Sequence, residues 1–425
     1  MIARPNLLFL LADDLRWDAL GCMGNKIIQT PHLDRLAAEG TRFTNAFVTT
    51  SICVASRASC LTGQWVRRHG IEEFAQTFTP AAWVQTYPAL LRNAGYRTGF
   101  VGKFGVGNAK AIAAMSDKFD YWRGLPGQGG ETFFENGALH TTARLGNEAL
   151  EFLAEKDGRP FCLSVSFNAP HARDGKPREF APDPRDEALY QDVTIPVPAL
   201  AQSDAAFLRL PEAVRKSEGR TRWKWRFDTP EKLQSTVKDY YRLVSGIDRE
   251  VGRLLAALPE NTLVLFLSDN GWSLGERGLA DKWFAYDEDI RVPLIAWGPG
   301  VKPGQVCDAF ALNVDIAPTL LAAAGVRAPS RMQGQSLLPL LTGKRPRRWR
   351  REFFYEHHSV AELIPPVEAL RDARWKYIRW VGAGNVEELY DLQSDPLEEH
   401  NLATTEPERL AERRARWQQE AARRR

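Results

Sequence analysis

Apolar residues along the chain fall into two kinds of run. Residues 7–12 are continuously apolar and stop at Asp13-Asp14, the pattern of a strand buried on both faces. Residues 96–101, 161–167 and 262–267 also read as strands and run into Gly102-Lys103, Asn168-Ala169-Pro170-His171 and Ser268-Asp269-Asn270-Gly271. Residues 293–297 predict a further strand and residues 43–48 a short one. Helical spacing fills the intervals. Thr30-Pro31 reads as an N-cap and first helical position, for a helix through Leu36 that Gly40 stops. Residues 87–94, closed by Gly95, and residues 144–155 and 315–324 also read as helices. Between 231 and 258, Leu233, Val237, Tyr240, Val244, Ile247, Val251, Leu254 and Leu258 mark one apolar stripe, and hence one long helix.

Strands alternating with helices predict an α/β fold, a doubly wound and mainly parallel sheet flanked by helices. Residues 172–230 break the alternation, being rich in proline, charge and tryptophan, and read as an irregular insertion near a site. Beyond Gly343 the pattern changes to short stretches at 353–355, 375–380 and 388–392, followed by a helix over 407–424. This predicts a small C-terminal subdomain of antiparallel sheet plus helix, dividing the chain into a catalytic α/β domain over 1–344 and an α+β subdomain over 345–425.

Composition adds limits. Of 425 residues, 44% are hydrophobic and 26% charged, and 56 basic against 53 acidic residues leave a net charge of +3. That balance gives no reason to expect a nucleic acid or a membrane as partner. No apolar run reaches the roughly 18 residues of a membrane span, and the first run is too short for a signal-peptide core, so the chain as written carries no export address and its compartment stays open. Five scattered cysteines, Cys22, Cys53, Cys60, Cys162 and Cys307, form neither a disulfide framework nor a zinc–thiolate site.

The polar strand ends carry the candidate chemistry. In an open α/β sheet the site lies beyond the carboxyl ends of the strands, so Asp13, Asp14, Lys103, His171, Asp269 and Asn270 are expected to converge. Three carboxylates and an amide suit a hard dication, calcium or magnesium, better than zinc. Lys103, Lys282 and Arg57 add positive charge, which with a dication suits a tetrahedral oxyanion. His171 has the character of a general acid near neutral pH. Cys53 opens Cys53-Val54-Ala55-Ser56-Arg57, read as a loop entering a short helix that Thr62-Gly63 ends. Cys53 is expected near the helix start, where free N–H groups favour an anion.

These motifs resemble the formylglycine-dependent sulfatases of the alkaline-phosphatase-like superfamily along nearly the whole chain. The carriers include RPNLLFLLADDLRWDALGCMGN from Arg4, CVASRASCLTG from Cys53, GYRTGFVGK from Gly95, SFNAPH from Ser166, LFLSDNG from Leu265 and LGERGLADKW from Leu274. The resemblance implies a sulfuric ester hydrolase acting on a sulfated carbohydrate or an aryl sulfate. It implies that a maturation enzyme oxidises Cys53 to Cα-formylglycine, whose hydrated gem-diol attacks sulfur. Asp13, Asp14, Asp269, Asn270 and the modified Cys53 are then calcium ligands, with magnesium the alternative. Arg57 steadies the gem-diol, Lys103 and Lys282 hold sulfate oxygens, and His171 protonates the leaving alcohol.

Two positions depart from the family's pattern. Gly105 stands where a histidine is common, two residues after the lysine, leaving gem-diol deprotonation to another group, slower turnover or a different route. Arg277 replaces the histidine of LGEHG, with a rim contact to an anionic substrate or a surface ion pair as its two readings. Trp223, Trp225, Tyr355, His357 and His358 are candidate sugar-pocket residues. The same scaffold allows two rivals: a phosphodiesterase or phosphonate monoesterase, and a non-catalytic sulfoglycan-binding protein.

Overall fold

The computed structural model describes residues 4–129, 133–135, 139–382, 384 and 386–424. Eight strands form the main sheet in the order Gln305–Cys307, Thr41–Phe43, Leu294–Trp297, Thr262–Ser268, Asn6–Ala12, Phe161–Ser166, Arg97–Gly102 and Tyr121–Gly124. The last five run parallel to one another. Leu294–Trp297 is antiparallel to both of its neighbours, so the sheet is mainly but not wholly parallel.

The period of two along the first strand explains its central place. Leu7, Phe9 and Leu11 enter one hydrophobic core, and Leu8, Leu10 and Ala12 enter the other on the opposite face. Ala12 lies opposite Ser268, Leu11 opposite Ser166, and Gly102 opposite Ser166. The strands therefore finish level, and the polar residues after them emerge at one edge. Helices Pro230–Ala257 and Thr141–Ala154 cover one face.

Several expectations change in detail. The stretch 43–48 is not one strand: Thr41–Phe43 belongs to the main sheet, while Ala46–Phe47 pairs with Ala311–Leu312. Thr30 makes no side-chain cap to the helix Pro31–Ala38. The Asp248 carboxylate, from the long helix, accepts instead from the Leu33 N–H at 2.7 Å and the His32 N–H at 3.2 Å. The segment 172–230 is less irregular than predicted and contains the helix Glu218–Arg226.

The C-terminal part is a four-stranded antiparallel sheet, Glu352–His357, Val367–Asp372, Trp375–Trp380 and Glu387–Asp391, with helix Pro407–Arg423 against it. Val367–Asp372 lacked a sequence prediction. A buried ionic network joins this sheet to the loops around residue 287. Both Asp287 carboxylate oxygens accept from Arg371 at 3.0 Å, and Lys376 reaches Asp287 at 2.6 Å and Glu398 at 2.5 Å. Arg277 belongs to this network. It is buried, 2.8 Å from Glu288, donates to the Leu397 carbonyl and lies over the Tyr286 ring at 4.4 Å. Neither a rim contact nor a surface ion pair describes it.

Candidate active site

Cys53 is the first residue of helix Cys53–Thr62, preceded by Ile52 in extended conformation and ended by Gly63 at φ 64°. All ten helical residues are buried, so the helix has no solvent face and its start points into the protein. The Cys53 Sγ lies 3.3 Å from Asp13 Oδ1 and 3.0 Å from Lys282 Nζ. Burial and the Asp13 carboxylate push the thiol well above its ordinary pKa. As a thiol, Cys53 is neutral and a poor nucleophile.

The carboxylates come from the two central strands. Asp14 has φ 66°, and its unusual backbone is held by the Tyr240 hydroxyl, which donates to the Asp14 carbonyl at 2.7 Å. The Leu15 N–H donates to Ser268 Oγ at 2.8 Å and the Asp14 N–H to Asp269 Oδ1 at 3.1 Å, tying the two strand ends together. Lys103 Nζ is 2.5 Å from Asp13 Oδ2, and Lys282 Nζ pairs with Asp14 Oδ1. Arg57 Nε donates to Asp269 Oδ2 at 2.8 Å, while its Nη1 donates to the Lys103 carbonyl at 2.6 Å and to Ser166 Oγ. The floor thus brings Asp13, Asp14, Cys53, Arg57, Lys103, Asp269 and Lys282 together, and Ser166 joins them as a support of Arg57 that the sequence reading left without a role.

Electrostatics at the floor pull its acids in opposite directions. Burial opposes ionisation of Asp13, but Lys103, His171, Arg57 and Lys282 outweigh it and hold the carboxyl well below its usual range. Burial and the adjacent Asp13 push Asp269 up. Asp14 Oδ2 and Asn270 Oδ1 are buried with no hydrogen-bond partner. Orphaned buried oxygens are costly, and these two, with the carboxylates of Asp13 and Asp269, form a donor set that fits a hard dication. One ligand atom each from Asp13, Asp14, Cys53 and His171 lies within 4.8 Å of the others.

His171 Nδ1 is 2.6 Å from the Ala172 carbonyl and Nε2 is 3.6 Å from Asp14 Oδ2. A carbonyl only accepts, so Nδ1 carries the hydrogen and Nε2 faces the site. Lys282 is presented by a turn whose flanking residues both have positive φ, Asp281 at 72° and Trp283 at 94°. Arg222 and Arg226 each reach one Asp281 oxygen at 2.6 Å, and Tyr355 donates to the Trp283 carbonyl at 2.7 Å, which holds that turn in place.

Gly105 has φ 72°, and a Cβ there would lie 2.7 Å from Arg57 Cδ. The Arg57 side chain therefore packs over the glycine, and the backbone holds no room for a histidine with Arg57 where it is.

Above the floor opens a cavity of about 750 Å³, with Cys53, Lys103, His171 and Lys282 at its base and Phe74, Leu125, Pro126, Trp283 and Leu363 along its apolar side. Asn168 Nδ2 donates to the Gly129 carbonyl at 3.0 Å, fastening the neighbouring loop to the site. None of the five candidate sugar-pocket residues lines this cavity. Tyr355 and His357 are buried, His358 lies 3.2 Å from Glu368, Trp223 stacks under Arg220 and Trp225 borders a separate cleft. Phe74, Leu125, Pro126 and Leu363 come from loops with no motif, so sequence held no signal for that side of the cavity.

The sulfatase family profile matches residues 5–326, and the profile of the N-sulphoglucosamine sulphohydrolase C-terminal region matches residues 275–421. The chain belongs to the sulfatase family. It is a sulfuric ester hydrolase with the α/β architecture and C-terminal sheet described above. An N-acetylglucosamine-6-O-sulfatase of Bacteroides thetaiotaomicron is 30% identical, over 94% of this chain and 82% of the relative. A solved structure in complex with its substrate D-glucosamine-2-N,6-O-disulfate superposes with a TM-score of 0.83 at 28% identity, covering 98% of this chain and 97% of the other. The phosphonate monoester hydrolase of Agrobacterium radiobacter shares the fold, with a TM-score of 0.81 at 23% identity over 99% and 96% of the two chains. Family membership also implies a metal ion, for which the floor offers fitting donors. Among the described residues no helix is long and apolar enough to cross a membrane.

Proposed function

We propose that this sulfatase hydrolyses a sulfate ester of a sugar, with Cys53 converted to Cα-formylglycine as the nucleophile and Ca²⁺ as the resident metal. The observation that carries this reading is the meeting of Cys53, three carboxylates and three basic side chains at the closed end of one sugar-sized cavity. The sugar sulfate named for the similar solved structure and for the Bacteroides relative favours a carbohydrate over a phosphonate ester.

In this reading Asp13, Asp14, Asp269, Asn270 and the modified Cys53 hold the metal, and the oxygen-only protein donors favour Ca²⁺ or Mg²⁺ over zinc. The metal supplies Lewis-acid polarisation of the sulfate, and the hydrated aldehyde supplies one hydroxyl to take the sulfuryl group and a second to expel it. The Sγ of Cys53 marks the position of those hydroxyls. Lys282 Nζ, 3.0 Å from Sγ, and Lys103 Nζ hold sulfate oxygens against the nucleophile. Arg57, anchored by Asp269, the Lys103 carbonyl and Ser166, steadies the nucleophile from beneath. His171 delivers the proton to the leaving alkoxide through Nε2, because its Nδ1–H is committed to Ala172. Cys53 is 2% exposed, so the maturation enzyme must meet its segment before the chain folds.

The test is the mass of the Cys53 peptide after coexpression with a maturation enzyme, together with rates on 4-nitrophenyl sulfate and a 4-nitrophenyl phosphate diester. The aldehyde mass, a preference for the sulfate and a loss of at least about a thousandfold in kcat/KM for Cys53→Ala are expected. A preference for the diester would assign the site to phosphoester chemistry. Binding of sulfated glycans with no turnover by either protein would make it a binding module.

A further inference from the structure

The charged side of the cavity contains two cations, Arg173 and Lys176, with no counter-ion among the described residues. Arg222 is fully engaged, 2.7 Å from Asp174, 2.6 Å from Asp281 and 3.1 Å from Glu218, so those carboxylates are committed as well. Arg173 differs. It lines the same cavity two residues beyond His171, and among the described residues it forms no ion pair. Its backbone is fixed, since the Arg173 N–H donates to the Glu179 carbonyl at 2.8 Å and its carbonyl accepts from the Lys176 N–H at 3.2 Å. Its Nη2 donates to the Arg178 carbonyl at 2.5 Å, and its Nε is buried without an acceptor. Burial, then the Arg178 charge, lower its pKa. A half-buried guanidinium with an unused donor is costly unless an acceptor arrives. Lys176, exposed on the same loop and also lining the cavity, adds a second cation without an ion pair among the described residues. Phe74, Leu125 and Leu363 stand along the apolar side.

We propose that Arg173, aided by Lys176, binds a second oxyanion on the substrate, so that this sulfatase selects sugars bearing another sulfate or a carboxylate besides the sulfate it removes. The planar fork of arginine suits both groups. The inference rests on the sugar-sulfate reading of the same site, and it assigns Arg173 to specificity and not to the chemical step.

The test is calorimetric binding, with Ca²⁺ present, to the full-length Cys53→Ala protein, which cannot turn over. The probes are N-acetylglucosamine 6-sulfate, glucosamine 2-N,6-O-disulfate and a 6-O-sulfated glucosamine–uronic acid disaccharide. At least one doubly anionic probe is expected to bind about tenfold or more tightly than the monosulfate, and the tighter probe identifies the second anion as sulfate or carboxylate. Adding Arg173→Ala should remove that preference while leaving monosulfate affinity within about twofold, and Arg173→Lys should restore part of it. An equal loss for all probes, an unchanged preference in Arg173→Ala, or binding of none of the probes would overturn the inference. Rates of the Cys53-containing enzyme separate the two readings. Hydrolysis of a sugar sulfate without an Arg173-dependent preference sinks only the subsite, whereas the preference without hydrolysis of any sulfate ester sinks only the sulfatase assignment for this site.

Discussion

Two buried ionic networks in this protein have the same charge count and different character. At the cavity floor, Arg57, Lys103 and Lys282 face Asp13, Asp14 and Asp269. Beneath the C-terminal sheet, Arg277, Lys376 and Arg371 face Asp287, Glu288 and Glu398. Each sets three cations against three carboxylates. The difference lies in what each oxygen touches. Both Asp287 oxygens accept hydrogen bonds from Arg371, and Lys376 adds a third donor, whereas Asp14 Oδ2 has none. One network is closed at Asp287, although Glu398 Oε1, 2.5 Å from Lys376 Nζ, has no hydrogen bond, and it fastens the C-terminal sheet to the segment around residue 287. The other leaves Asp14 Oδ2 and Asn270 Oδ1 without donors beneath a cavity, which is how a site differs from a staple of the same charge balance. A dication at the floor would leave it with excess positive charge, matching the anion that a sulfate ester brings.

The largest effect should come from breaking the closed network. Asp287→Ala strands Arg371 and Lys376 in a buried place, and a loss of about 3–5 kcal/mol is expected in urea unfolding. The kcat/KM of the molecules that remain folded should not change, and a fall in it would mean that the two networks are coupled. Next in size is the response of the open network to its ion. Ca²⁺ at a hundredfold excess over its Kd should stabilise the protein by about 2.7 kcal/mol, read as a rise in Tm. Asp14→Asn should abolish that rise, and Asp287→Asn should leave it intact.

Smaller per pH unit, and gradual, is the effect of Glu388, which borders the closed network and accepts from the Tyr286 hydroxyl at 3.1 Å. Burial pushes its pKa up to about 7. A raised carboxyl pKa means that the folded state keeps a proton the unfolded chain releases above about pH 4.3. Its contribution is therefore complete below that pH and is lost as pH rises through about 7. Stability should fall by about 1.4 kcal/mol per pH unit across this window and then level off. Subtracting the Glu388→Gln profile from the wild-type profile isolates the slope, and parallel profiles would refute it.

The floor was legible in the sequence because its residues sit beside the strongest periodic signals. Asp13, Lys103 and Asp269 each follow a run of buried strand residues, and register alone brings them to one edge. Arg277 was misread because its partner, the Leu397 carbonyl, lies 120 residues away in the turn that follows the C-terminal sheet. The strand Val367–Asp372 escaped notice because its Glu-Ala-Leu-Arg sequence favours no strand periodicity, and its burial comes from the strands on either side. Helix Glu218–Arg226 has arginine and lysine where an apolar stripe would be, since its contacts with Asp174, Glu179 and Asp281 are ionic. Arg173 and Phe74 reach the cavity from unrelated loops, a relation that exists only once the chain has folded.

The packing of Arg57 over Gly105 makes these two positions a single mutational unit. A side chain at 105 meets the arginine Cδ at 2.7 Å on a backbone at φ 72°, so it can enter only if Arg57 yields its place above Asp269 and Ser166. A histidine at 105 therefore requires a coupled shift of Arg57, so the two positions are constrained together.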